Sequence, residues 1–177
     1  MIAKKLISVE KFYFYRLLKT KELENLFRVA HQNRKILYKF LSGTPKEQLL
    51  KIPYGFRNNI WWNIAHVVVT QQLLVYKLSG LTMSVSAELV EKFRKGSVPD
   101  GSATEDEIEM IKALLFSTAV GTEEDYEKGL FKEYQEYTTS ANVTLTNVED
   151  ALSFNLFHEG LHLGVILSLQ KALQTEV

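Results

Sequence analysis

Three histidines are the residues in this chain whose type and spacing could do chemistry together. His158 and His162 lie four residues apart in the stretch FHEGLHLGV, residues 157–165. On a helix that spacing puts both imidazoles on one face, their roots about 6 Å apart, which is how a helix offers two ligands to one ion. His66 stands in a second, strongly apolar helical segment upstream. Three neutral imidazoles with an open position suit zinc, nickel or another borderline divalent ion, with water as the remaining ligand. Such an ion would lower the pKa of the water, polarise a substrate oxygen, or hold a thiol as nucleophilic thiolate. The structural alternative is plain: a histidine on an apolar helix is more often a hydrogen-bonded core residue than a ligand. His31 is left out of the set, because Gln32, Asn33, Arg34 and Lys35 beside it read as a solvated face.

The pair also spells HEGLH, the H-E-x-x-H pattern of zinc peptidases, in which Glu159 would be the general base. Its surroundings argue against that reading. No histidine follows His162, Glu176 is the only carboxylate after it, and no edge strand for a peptide is apparent. Asn63 and Thr70, on turns adjacent to His66, are candidates to support the histidines or to line a pocket, and Trp61 and Trp62 read as packing.

Four principal helices position these residues. Leu23, Leu26, Phe27, Ala30, Leu37 and Leu41 recur at spacings of three and four, predicting a helix over residues 21–41 closed by Ser42, Gly43 and Pro45. The second is expected from Arg57 or Asn58, with asparagine as the cap, to Leu78 before Gly80. Trp62, His66, Leu73 and Lys77 form one row of it, and its apolar character on most sides suits a central helix or an oligomer interface. A longer connection, residues 81–103, holds a short helical piece over about 87–95. Thr104 with Glu107 makes a capping box for the third helix, which runs to about residue 131 with an interruption near Gly121 and an end at Gly129. Residues 134–146 are expected as extended loop, since no partner strand is available. Thr146 with Glu149 makes a second capping box, opening the last helix over about 147–173. Two fairly short links and one long one favour an all-α, up-down-down-up four-helix bundle with a short extra helix in the long connection. The second and fourth helices would then be antiparallel, with all three histidines in the middle third.

The 177 residues suit one domain, and a 46% hydrophobic content is enough for a core. Twenty-one basic residues balance 21 acidic ones, leaving no overall field to recruit nucleic acid or an anionic membrane. Cysteine is absent, which excludes disulfides, thiolate ligands and a cysteine nucleophile, and fits a cytoplasmic location. No apolar run is long enough to span a bilayer. Residues 1–20 stand apart: Lys4, Lys5, Lys11, Arg16 and Lys19 face only Glu10, around the aromatic stretch 12–15. They are read as an N-terminal extension, with a docking helix as one form of it, ahead of a domain over 21–177.

The runs NNIWWNIAHVVVTQQLLVYKLSGL and VEDALSFNLFHEGLHLG resemble the DinB-like superfamily, including its DinB-2 and YfiT-like subgroups. The likeness covers roughly residues 21–175 and rests on one histidine in the second helix, His66, and H-x-x-x-H-x-G in the fourth, here His158, His162 and Gly164. The resemblance implies an up-down-down-up bundle, a homodimer, and a divalent metal on those three histidines. It also implies a metal-dependent activity on a small molecule, with some relatives resembling S-transferases or isomerases that use a low-molecular-weight thiol such as bacillithiol or mycothiol. Two features depart from the pattern. Val165 stands where a glutamine is often seen, and the basic, aromatic first 20 residues have no counterpart. The expected function is therefore a metal-dependent transferase or hydrolase on an unknown small molecule. A non-enzymatic, stress-associated binding protein with a vestigial site stands as the alternative.

Overall fold

The computed structural model describes the backbone of residues 2–175 and the side chains from residue 21 onward. Its described residues are mostly helical. α1 runs Ile2–Gly43 and is followed by the short α2, Lys46–Leu50. α3 spans Ile60–Gln71 and continues directly as a π-helical stretch, Gln72–Lys77. Then come α4 (Ala87–Phe93), α5 (Glu105–Glu127), the two-residue strands β1 (Tyr137–Thr138) and β2 (Thr144–Leu145), and α6 (Val148–Thr175).

The helix starts follow local chemistry. Asn59 caps α3, its side chain accepting from the Trp62 amide at 2.8 Å, while its own amide group donates to the Leu50 carbonyl and ties down the end of α2. Thr104 and Glu107 make the expected reciprocal box at α5. At α6 the expectation is off by one residue. Asn147 is the cap, accepting from the Asp150 amide, and Asp150 reaches back to Thr146. Glu149 is thereby released to accept from the Tyr126 hydroxyl at 2.8 Å. Gly80 and Gly129 adopt φ of +70° and +68° where the second and third long helices end, the conformation a glycine supplies without strain.

Four further expectations need correction. α1 does not begin at residue 21; its backbone is helical from Ile2, and whether residues 1–20 dock depends on side chains outside the described residues. The link after α1 contains the α2 turn. α5 is not interrupted at Gly121: buried Ala119 and Thr122 flank it, and their packing outweighs a glycine's cost of about 1 kcal/mol in a helix. Residues 134–146 are not simply loop, because the segment folds back on itself and pairs Tyr137 with Leu145 and Thr138 with Thr144 in antiparallel register.

Cross-helix contacts define how the long helices run. Along α1 and α5, His31 meets Glu123, Tyr38 meets Phe116, and Lys46 just beyond meets Glu105, so the two are antiparallel. Along α3 and α6, Asn63 meets His162 and His66 lies against His158, again antiparallel. Between α3 and α5, Gln71 meets Thr122 and Tyr76 meets Asp125, and these run parallel. α3 lies at the centre, with Thr70 its only residue that is not buried.

Among the described residues, two apolar clusters fill the interior. One gathers Leu37, Ile64, Val68, Ile111, Leu115, Ile166 and Leu169. The other gathers Phe27, Leu74, Val75, Leu145, Val148 and Leu152. Between them in chain position, on all four long helices, stand buried polar residues. Arg34 donates to Glu159 Oε1 at 2.9 Å through Nε and 2.7 Å through Nη2, and Asn155 donates to the same oxygen. Gln71 donates to Thr122, whose hydroxyl donates to the Thr118 carbonyl. Charged groups this deep persist only when paired and hydrogen-bonded.

Candidate metal centre

α3 and α6 bring the three histidines to one point. The ring centroids of His66 and His158 are 5.1 Å apart, those of His66 and His162 4.8 Å, and those of His158 and His162 4.4 Å. One nitrogen from each ring lies within 4.8 Å of the other two. The ε nitrogens of His158 and His162 are separated by 3.1 Å. For comparison, bonds of ~2.05 Å in a tetrahedral zinc site put two nitrogens roughly 3.3 Å apart. The three rings therefore need little movement to converge on one ion.

Hydrogen bonds on the far side of two rings decide which nitrogen is free. His66 Nδ1 faces the Phe93 carbonyl at 2.6 Å, an oxygen that can only accept, so Nδ1 carries the proton and Nε2 keeps its lone pair. His162 Nδ1 faces Asn63 Oδ1 at 2.7 Å. The Asn63 amide is itself oriented, since its Nδ2 donates to the Asn59 carbonyl at 2.7 Å and to Asn58 Oδ1 at 3.1 Å. Its oxygen is thus the atom left for His162, which must donate from Nδ1. Fixing the tautomer from behind in this way is what supporting groups do for histidine ligands. Thr70 Oγ1 lies 3.3 Å from His66 Nε2. Trp62 stacks on the His66 ring at 4.5 Å and 12°, and its indole N–H donates to Ser97. The tryptophan packs as expected and also forms a wall of the cluster.

Electrostatics keep the set neutral. Burial lowers the His158 pKa to about 3, with the neighbouring His162, His66 and Arg34 adding to the effect. Burial and then His66 lower His162 to about 4. His66 is also lowered by burial, against an opposing pull from the Phe93 carbonyl. At neutral pH all three are unprotonated bases, the form a metal requires.

Glu159 is not in this cluster. Next to His158 on the helix, its carboxylate is fully buried and bound by Arg34 and Asn155. A general base for a peptidase would have to reach a water at the histidines, and the H-E-x-x-H reading fails because this carboxylate is committed to Arg34 instead. His31 also lies outside the set, its Nε2 2.6 Å from Glu123 Oε2 on α5.

Beside the histidines opens a cavity of about 310 Å³. It is lined by His66, Thr70 and His158, by the apolar Leu73, Leu74, Leu78 and Phe154, by Lys77 and Lys95, and by Tyr137, Thr139 and Ser140. Sequence reasoning placed Lys77 on the row of His66 but gave it no role, and it missed Lys95 and the hairpin entirely. The hairpin is held by the Tyr134 hydroxyl on the Leu74 carbonyl and the Gln135 amide on the Leu78 carbonyl, contacts that no local pattern announces.

Residues 30–166 match the family model described as DinB superfamily (DinB_2). The comparison with curated proteins found no match.

Proposed function

The chain belongs to the DinB superfamily, and from that premise we propose that His66, His158 and His162 hold a divalent metal ion, zinc or nickel, with a coordination position left open. The observation that carries the proposal is the pair of fixed tautomers: Phe93 and Asn63 take the Nδ1 protons of His66 and His162 and leave their ε nitrogens as donors beside His158. When bound, such an ion supplies Lewis acidity, polarising a substrate oxygen or lowering the pKa of a water or thiol ligand. The protein's own residues supply the rest. Trp62 and the buried helix faces limit water at the rings, Asn63 and Phe93 hold the tautomers, and the adjoining cavity orients a small molecule against His66 and His158.

The reading is a metal-dependent transferase of the thiol S-transferase type, or a hydrolase, acting on a small molecule. The helix directions described above support an up-down-down-up four-helix bundle, and the resemblance to DinB-like proteins extends the proposal to a homodimer in the cytoplasm. No helix among the described residues is long and apolar enough to cross a membrane. Residues 21–177 form the domain in this reading, with 1–20 as an extension.

Metal analysis of protein purified without a histidine tag tests the proposal. Bound metal near one equivalent is expected in the wild type, with loss in His162→Ala. Equal content in the two proteins would sink the metal site. A chelator that leaves the melting temperature unchanged would favour the non-enzymatic alternative.

A further inference from the structure

Among the described residues, the cavity beside the histidines is charged in one sense only. Lys77 and Lys95 are the charged side chains that line it there, and no described Asp or Glu does. Basic neighbours of Lys95 are neutralised: Lys92 is 2.7 Å from Glu107, and Arg94 is 2.8 Å from Glu91. Lys77 and Lys95 have no carboxylate partner among the described residues. Two independent elements converge to place them. Lys77 ends the π-helical stretch that continues α3, on the same face as His66 and Thr70. Lys95 follows α4 by two residues, and the Phe93 carbonyl just before it bonds the His66 ring.

The π-helical stretch shapes the wall. Its wider turn is carried by the Leu78 amide bonding back to the Leu73 carbonyl, and it lets Leu73, Leu74, Lys77 and Leu78 all face the cavity. Such stretches are rare and concentrate at functional sites. Lys77 lies roughly 16 Å along the helix from His66, and its side chain leans back toward the N-terminus. The cavity has room for roughly ten water-sized volumes at ~30 Å³ each, and so for a ligand of some ten to fifteen non-hydrogen atoms.

We infer that this cavity selects an amphipathic organic anion: apolar carbons against Leu73, Leu74 and Phe154, and a carboxylate or similar anionic group drawn by the positive charge of Lys77 and Lys95. The inference deepens the proposed metal site, but its charge selectivity stands on the lysines alone.

The test compares two thiols of equal length, 6-mercaptohexanoate and 6-mercaptohexanol, titrated calorimetrically into zinc-treated and chelator-stripped protein under a phosphine reductant. The carboxylate should bind about fivefold to tenfold more tightly than the alcohol, the range expected for two exposed charge-assisted contacts. Lys77→Gln/Lys95→Gln should erase that preference and leave the alcohol's affinity and the melting temperature unchanged. Equal binding of the two probes, binding of neither, or a preference that survives in the double variant would overturn the inference. Zinc measured in the same samples separates the two claims. A protein that retains no zinc yet keeps the carboxylate preference refutes the metal site and leaves the anion site standing.

Discussion

Asn63 shows how much of a metal centre lies behind its ligands. Its carbonyl oxygen is aimed at His162 because its amide nitrogen is already committed to the Asn59 carbonyl and to Asn58. The same helix start that caps α3 therefore sets the tautomer of a histidine on α6. Loss of such a group lowers metal affinity by about 10- to 100-fold. Asn63→Ala should show that loss in a competition titration against a chromophoric zinc chelator. Asn63→Asp keeps an acceptor facing Nδ1 but cannot donate to the Asn59 carbonyl, so it should recover part of the affinity that Asn63→Ala loses, whereas a purely packing role for Asn63 would make both variants alike. His158, whose Nδ1 is buried without a partner among the described residues, has no comparable support. Its Nε2 instead meets His162 Nε2 at 3.1 Å.

At the scale of the elements, the polar layer joins what the two apolar clusters leave apart. Arg34 on α1 and Glu159 on α6 are both buried, and removing one partner strands the other charge in the interior. Arg34→Leu should cost about 3–5 kcal/mol in denaturant unfolding. Arg34→Leu/Glu159→Leu should regain most of that, because the stranded charge is gone; a double variant as unstable as the single would contradict this account. A second set of contacts binds the π-helical stretch, α5, the hairpin and α6 through tyrosine hydroxyls. Burial pushes Tyr76, Tyr126 and Tyr134 up to about 12, helped by Asp125, Glu149 and Asp150 respectively. Their folded pKa lies above the ordinary 10.0, so the stability they contribute is present below about pH 10 and is lost as pH rises toward 12. Unfolding measured at pH 8, 10 and 11 should show this decline, and Tyr126→Phe should make it shallower.

These elements differ in how far sequence could reveal them. The His158–His162 pair is a local helical spacing and could be read directly. The approach of His66 needed only helix lengths and an antiparallel arrangement. The hairpin was hidden because two-residue strands carry almost no pattern and are held by the distant Leu74 and Leu78 carbonyls. Lys95 was hidden because a turn, not a periodic element, delivers it. Gly121 misled because its local cost is real but smaller than the packing of the residues beside it.

For the whole molecule, the proposed ion would join helices from distant parts of the chain. α3 and α6 already share an apolar interface through Ile64, Val68, Ile166 and Leu169, so the fold does not depend on metal in the way a zinc finger does. The protein should remain folded when stripped, and metal should act as a ligand of the native state only. Free ion at about 100 times its Kd then adds about 2.7 kcal/mol. For a chain of this size each kcal/mol raises Tm by about 2–4 °C, so zinc should raise Tm by roughly 5–11 °C. The shift should grow with the logarithm of zinc concentration and vanish in His162→Ala. A stripped protein that is already unfolded would show that the two apolar clusters do not suffice. A shift of the same size in His162→Ala would place the stabilising ion somewhere other than these three rings.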